Sequence, residues 1–138
     1  MIKNKIEFKV QYKYNKDKKV NDINISTMID GDAYLPGLVI NIFQLDNSLI
    51  TEGYCPLFVC TCGDQGCGGV WETPIIDIHD TFILWRITSP HKRTLVFDKK
   101  VIANAINDLK NDLLSHMTLN ESKEIDYLAY ENLYRFLR

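Results

Sequence analysis

Four cysteines, Cys55, Cys60, Cys62 and Cys67, fall within thirteen residues and form the densest group able to bind a metal or exchange electrons. Structural zinc sites generally use two separated pairs with two to four residues inside each pair. Here the spacing is C-x4-C-x-C-x4-C. On a strand, Cys60 and Cys62 point to the same face, so they can converge on one ion. All four ligands would nevertheless come from one short stretch and tie together nothing distant. The simpler chemistry is that of reduced thiols packed as small apolar groups, flanking glycines that supply the turn of a hairpin. A redox pair is the third option, and a reducing compartment opposes it.

No other constellation offers a reaction. A nucleophilic thiol needs an activating base. His79, His91 and His116 are scattered, and no acid and base are paired along the chain. The glycine string Gly63, Gly66, Gly68, Gly69 lacks the Lys-Ser or Lys-Thr of a phosphate loop, and a strand rather than a helix is expected after it. The sequence therefore predicts a protein without enzymatic chemistry and without a cofactor.

Charge is distributed unevenly along 138 residues whose apolar share is 46% and whose net charge is −2. Residues 1–20 hold seven lysines against Glu7 and Asp17, a balance of +5. Residues 21–89 hold nine acids and one base, Arg86, a balance of −8; residues 90–138 come to +1. Such a layout governs partners rather than fold. An acidic middle repels phosphate, which argues against nucleic acid as the partner. The same acids serve equally to keep a sheet soluble. No apolar run of the kind found in secretory signals follows the N-terminal lysines, and none has the ~20 residues needed to cross a bilayer. The expectation is a cytoplasmic protein with no membrane association. Abundant Lys, Asn and Ile point to an AT-rich, bacterial gene.

The elements that must position these residues follow from hydrophobic period. Ile6, Phe8, Val10, Tyr12 and Tyr14 alternate with polar residues, as a strand with one buried face requires. Val20 to Thr27 alternates less cleanly and predicts an edge strand. Asp30-Gly31-Asp32 is a turn, and Leu38 to Leu45 is expected as the next strand. Leu57 to Cys62 and Val70 to Ile78 are expected to form a hairpin across the glycine string, followed by Thr81 to Thr88 and a short strand from Leu95 to Phe97. In the strand from Thr81 to Thr88, Ile83, Trp85 and Ile87 make the uniformly apolar face. The period then changes to helical. Asp98 can cap a helix with Val101, Ala105, Ile106, Leu109, Leu113 and Met117 on one side, and Asn120 can cap a second through Ile125, Leu128, Ala129, Leu133 and Phe136. The expected fold is a single α+β domain over residues 1–138: an antiparallel meander followed by two C-terminal amphipathic helices.

The segment Phe58-Val59-Cys60-Thr61-Cys62-Gly63, the turn Gly66-Cys67-Gly68-Gly69, a strand reaching Trp85 and a terminal helix pair together resemble small bacterial immunity proteins of polymorphic and contact-dependent toxin systems. The resemblance spans roughly residues 37–115, and the Cys-Gly centre is its distinctive motif. It implies a binding module that neutralises a cognate toxin domain by occluding it, with no chemistry of its own. An acidic inhibitor suits a basic target such as a nuclease, because complementary charge speeds encounter.

Two sets of contact residues follow. Asp30, Asp32, Glu52 and Asp64 lie in loops, where binding residues collect on a rigid scaffold. Tyr127, Tyr130 and Tyr134 fall nearly opposite the apolar stripe of the last helix, where they either reach solvent from a sandwiched helix or form an aromatic strip for a partner or a homodimer. The rival reading is a small zinc-binding or redox protein built on Cys55, Cys60, Cys62 and Cys67.

Overall fold

The computed structural model describes residues 3–16, 20–35, 39–59, 73–88, 92–119 and 124–125. A long hairpin comes first. β1 (Ile6–Asn15) and β2 (Val20–Ile29) pair antiparallel from Ile6 opposite Ile29 to Asn15 opposite Val20. Alternation sets this register: Ile6 is buried, Phe8, Val10 and Tyr12 pack on the core, and Lys5, Glu7, Lys9 and Gln11 face out. A slip of one residue would turn every apolar side chain to water. β2 then turns back into β3 (Asp32–Ala33) through Asp30 and Gly31, at φ 53° and 86°. Positive φ at both central residues is the geometry that two-residue hairpin loops favour, and Asp-Gly is among the sequences that adopt it most readily.

The segment expected as one strand from Leu38 to Leu45 divides. β4 (Val39–Ile40) ends at Asn41, whose side-chain oxygen accepts from the Gln44 amide at 3.2 Å and starts α1 (Ile42–Asn47). Ile42 and Leu45, three apart, are buried on one side of that helix. A short apolar run carries no period of its own, so the cap at Asn41 decides between strand and helix.

β5 (Gly53–Tyr54) and β6 (Phe58–Val59) follow. β6 pairs with β4, whereas β5 pairs with β7 (Ile75–Ile78). The two strands expected to form a hairpin across the glycine string therefore belong to different sheets among the described residues. β7, β8 (Phe82–Ile87) and β9 (Arg93–Asp98) do form the expected antiparallel meander, giving the order β5-β7-β8-β9.

Asp98 caps α2 (Lys99–Leu119) as its position predicted, its Oδ1 accepting from the Lys100 and Val101 amides at 2.9 and 3.1 Å. The buried stripe is Ile102, Ile106, Leu109 and Leu113, with Ala105 beside it. Val101, assigned to that stripe by spacing alone, is exposed. After α2, β10 (Glu124–Ile125) pairs in parallel with the start of β2. Those two residues are thus extended where a second helix was expected, and the rest of that helix, 120–123 and 126 onward, lies outside the described residues. β2 is also not an edge: it runs between β1 and the short strands β3 and β10.

One apolar cluster holds these pieces together. It takes Ile76, Ile83, Trp85, Ile87, Leu95 and Phe97 from the meander, Ile6, Ile25 and Ile29 from the hairpin, and the α2 stripe. Trp85 is wholly buried and meets Phe97 edge to face, with ring centroids 4.7 Å apart. That arrangement suits the quadrupoles of the two rings. The indole Nε1 has no hydrogen-bond partner among the described residues, and what they give Trp85 is packing. Trp85→Ala should destabilise the protein by about 3–5 kcal/mol in chemical denaturation. Trp85→Phe, which keeps an aromatic ring and removes an unpaired buried donor, should lose clearly less. Equal losses for the two variants would contradict this account.

Candidate functional site

Asp30 and Asp32 come together on the β2–β3 turn but differ in what they are free to do. The Asp30 carboxylate accepts from the Lys5 amide at 2.8 Å and from Asn4 Nδ2 at 2.6 Å. The Lys5 amide first, then Asn4, with the charges of Lys5 and Arg93 adding, hold the Asp30 carboxyl below the usual carboxylate range. Asp32 is exposed and accepts no hydrogen bond within the described residues.

Asn4 is the other half of this arrangement. Its backbone N–H donates to the Val96 carbonyl at 2.6 Å, and its Oδ1 accepts from the Val96 amide at 2.8 Å. The side-chain oxygen thus stands in for a backbone carbonyl and completes a strand-like pair along β9. Nearby, Lys3 Nζ lies 3.2 Å from Asp98 Oδ2. A cleft of about 820 Å³ opens here, and its walls carry Lys3 and Lys5 as well as Glu7, Asp30 and Asp98. Both signs alternate around it, so it selects no charge.

Glu52 sits elsewhere. Its Oε1 accepts from the Ile78 amide at 2.9 Å, capping β7 just beyond the end of β5. From β5 to β9 is three strand spacings, roughly 14 Å, before Asn4 and Asp30 are reached. The three described carboxylates therefore flank opposite edges of the meander and do not make one continuous rim. Asp64, Tyr127, Tyr130 and Tyr134 lie outside the described residues.

Of the cysteines, Cys55 alone is described. It is 5% exposed, its backbone N–H donates to the Pro74 carbonyl at 3.0 Å, and its Sγ donates to the Gln44 carbonyl at 3.5 Å. Burial pushes the thiol up to about 11. It is a neutral, packed group rather than a ready thiolate. Cys60, Cys62 and Cys67 lie outside the described residues. Among the described residues, no three His, Cys, Asp or Glu side chains cluster as a metal would need, and no helix is long and apolar enough to cross a membrane.

Sequence reasoning passed over the outward face of the meander. Tyr54, Ile75 and Arg86 lie side by side across β5, β7 and β8. Arg86 forms a forked ion pair with Asp77, one arm of which is Nη2 to Oδ1 at 3.3 Å. Phe82 carries a stacked His79 ring at 4.4 Å. The strand alternation that marked Ile83, Trp85 and Ile87 as buried also assigns Phe82, Leu84 and Arg86 to this face.

No protein-family model, no curated protein and no solved structure matches this chain. The functional reading therefore stands on the residues themselves.

Two measurements test the electrostatics. Asp98, like Asp30, is held low, first by the Val101 amide and then by Lys3. Groups lowered by folding add stability that is complete above the unfolded value of about 3.9 and is lost as pH falls through the folded values. Asp30→Asn combined with Asp98→Asn should therefore flatten the stability profile below about pH 4. An unchanged acid limb would show that neither carboxylate is held as described. For Cys55, alkylation at about pH 8 followed by peptide mapping should leave it unmodified in the folded protein and label it once denatured.

Proposed function

We propose that this chain is a cytoplasmic immunity-type protein that neutralises a cognate bacterial toxin domain by binding over it. The observation that carries the reading is the β2–β3 turn. One carboxylate, Asp30, is fixed by Asn4 and Lys5, and its neighbour Asp32 is presented to solvent from the rigid tip that results. A charge held on a pre-ordered turn loses little entropy on binding and attracts a basic surface from a distance. The acidic balance of residues 21–89 supports the same partner, a basic domain such as a nuclease. Glu52 offers a separate contact on the opposite edge of the meander, and Asp64, Tyr127, Tyr130 and Tyr134 are further proposed contacts outside the described residues.

The internal bonds of Asp30 and Glu52 decide which substitution is informative. Changing either one removes a hydrogen bond as well as a charge. Asp32→Lys changes charge alone, so its unfolding free energy should stay within about 0.5 kcal/mol of the parent. Association with the cognate toxin domain should slow roughly tenfold at low ionic strength, with a shallower salt dependence, and cells should lose protection. An unaltered association rate together with full protection would remove the acidic turn from the interface.

A further inference from the structure

The edge of the meander at β5 is built to accept another strand. Gly53 lies opposite Ile76 and Tyr54 opposite Ile75, and the Cys55 amide bonds the Pro74 carbonyl at 3.0 Å. Hydrogen-bonded and non-bonded pairs alternate in an antiparallel ladder, so Tyr54 occupies a non-bonded position and its N–H and C=O point away from β7. No hydrogen bond within the described residues uses them. β5 is only two residues long, which limits its edge, but among the described residues no element covers that edge and no lysine lies on the strand. Instead Tyr54 is 76% exposed and Ile50, just before the strand, 79%. Glu52 adds an exposed carboxylate at the start of the same strand.

We propose that this edge docks an extended segment of a partner protein, one that places an apolar residue over Tyr54 and a basic residue against Glu52. The backbone groups of Tyr54 supply the strand-to-strand bonds, the exposed apolar side chains supply area, and Glu52 selects the sign of the incoming charge. Assigning that segment to the toxin rests on the function proposed above; the edge itself does not.

A capped synthetic hexapeptide of alternating valine and arginine is the probe. Added to the 15N-labelled full chain, it should slow hydrogen exchange at the Tyr54 amide about tenfold and leave the already bonded Ile76 amide unchanged. The protection should vanish when the peptide is N-methylated on its pairing edge. Tyr54→Pro, which removes the pairing N–H at a position where it faces solvent, should abolish the peptide-induced chemical-shift changes at the neighbouring Gly53 and Cys55 amides. No protection at Tyr54, or protection that survives peptide N-methylation, overturns the proposal. Tyr54 protection that grows with protein concentration in the absence of peptide also overturns it, since a second copy would then fill the edge. Peptide docking by a chain that gives cells no protection against a cognate toxin domain would keep the edge and remove the immunity reading. The opposite pair of results would do the reverse.

Discussion

The apolar stripe of α2 has to be covered from two directions at once, and the rest of the fold is arranged around that requirement. Ile102, Ile106, Leu109 and Leu113 lie on one side of the helix. That side packs against β1 of the hairpin and against β8 and β9 of the meander. Neither sheet could bury its own inner face without the helix, and a two-stranded hairpin is marginal by itself in water. Sharing one stripe makes the three pieces a single cluster, with Trp85 and Phe97 within it. Asn4 then joins the hairpin to the open edge of β9, and Lys110 ties α2 to Asp46 of α1 at 3.0 Å. The ion pair is partly exposed and of the kind that contributes at most about 1 kcal/mol, so packing rather than charge holds the helix in place.

Long elements were legible in the sequence because their periods repeat several times. β1, β8 and the buried side of α2 each show enough alternation or helical spacing to fix both type and facing. Errors came where the signal was short. Val101 and Ile102 differ by one position, and only the direction of the sheets decides which one is buried. β4, β5 and β6 are two residues long, too short for any period, and their partners are set by distant packing. Asn41 was readable as a cap only once the helix after it was known. The hairpin expected across the glycine string lies mostly outside the described residues; within them, β6 and β7 pair with other strands, as distant packing dictates.

For the candidate site, identity and charge were legible and engagement was not. Asp30, Asp32 and Glu52 are alike as residues in loops. Yet Asp30 and Glu52 spend a carboxylate oxygen on backbone amides from other elements, and Asp32 does not. Such bonds depend on how Lys5 and Ile78 are brought alongside, which no local pattern encodes. Tyr54 went unnoticed because Glu52-Gly53 resembles a turn. Its significance lies in a ladder phase that appears only when β5 is laid against β7.

The Asn4–Val96 pair also sets an order of events. Its members are ninety-two residues apart, and contacts of such separation form slowly because a long loop must close first. During synthesis the hairpin emerges early, but neither its clasp nor its helical cover exists until β9 and α2 have followed. The hairpin is thus made before it is secured. Until then, the inner faces of β1 and β2 lack their cover, and the charges of Glu7 and Lys9 on the outer side of β1 oppose its pairing with other chains.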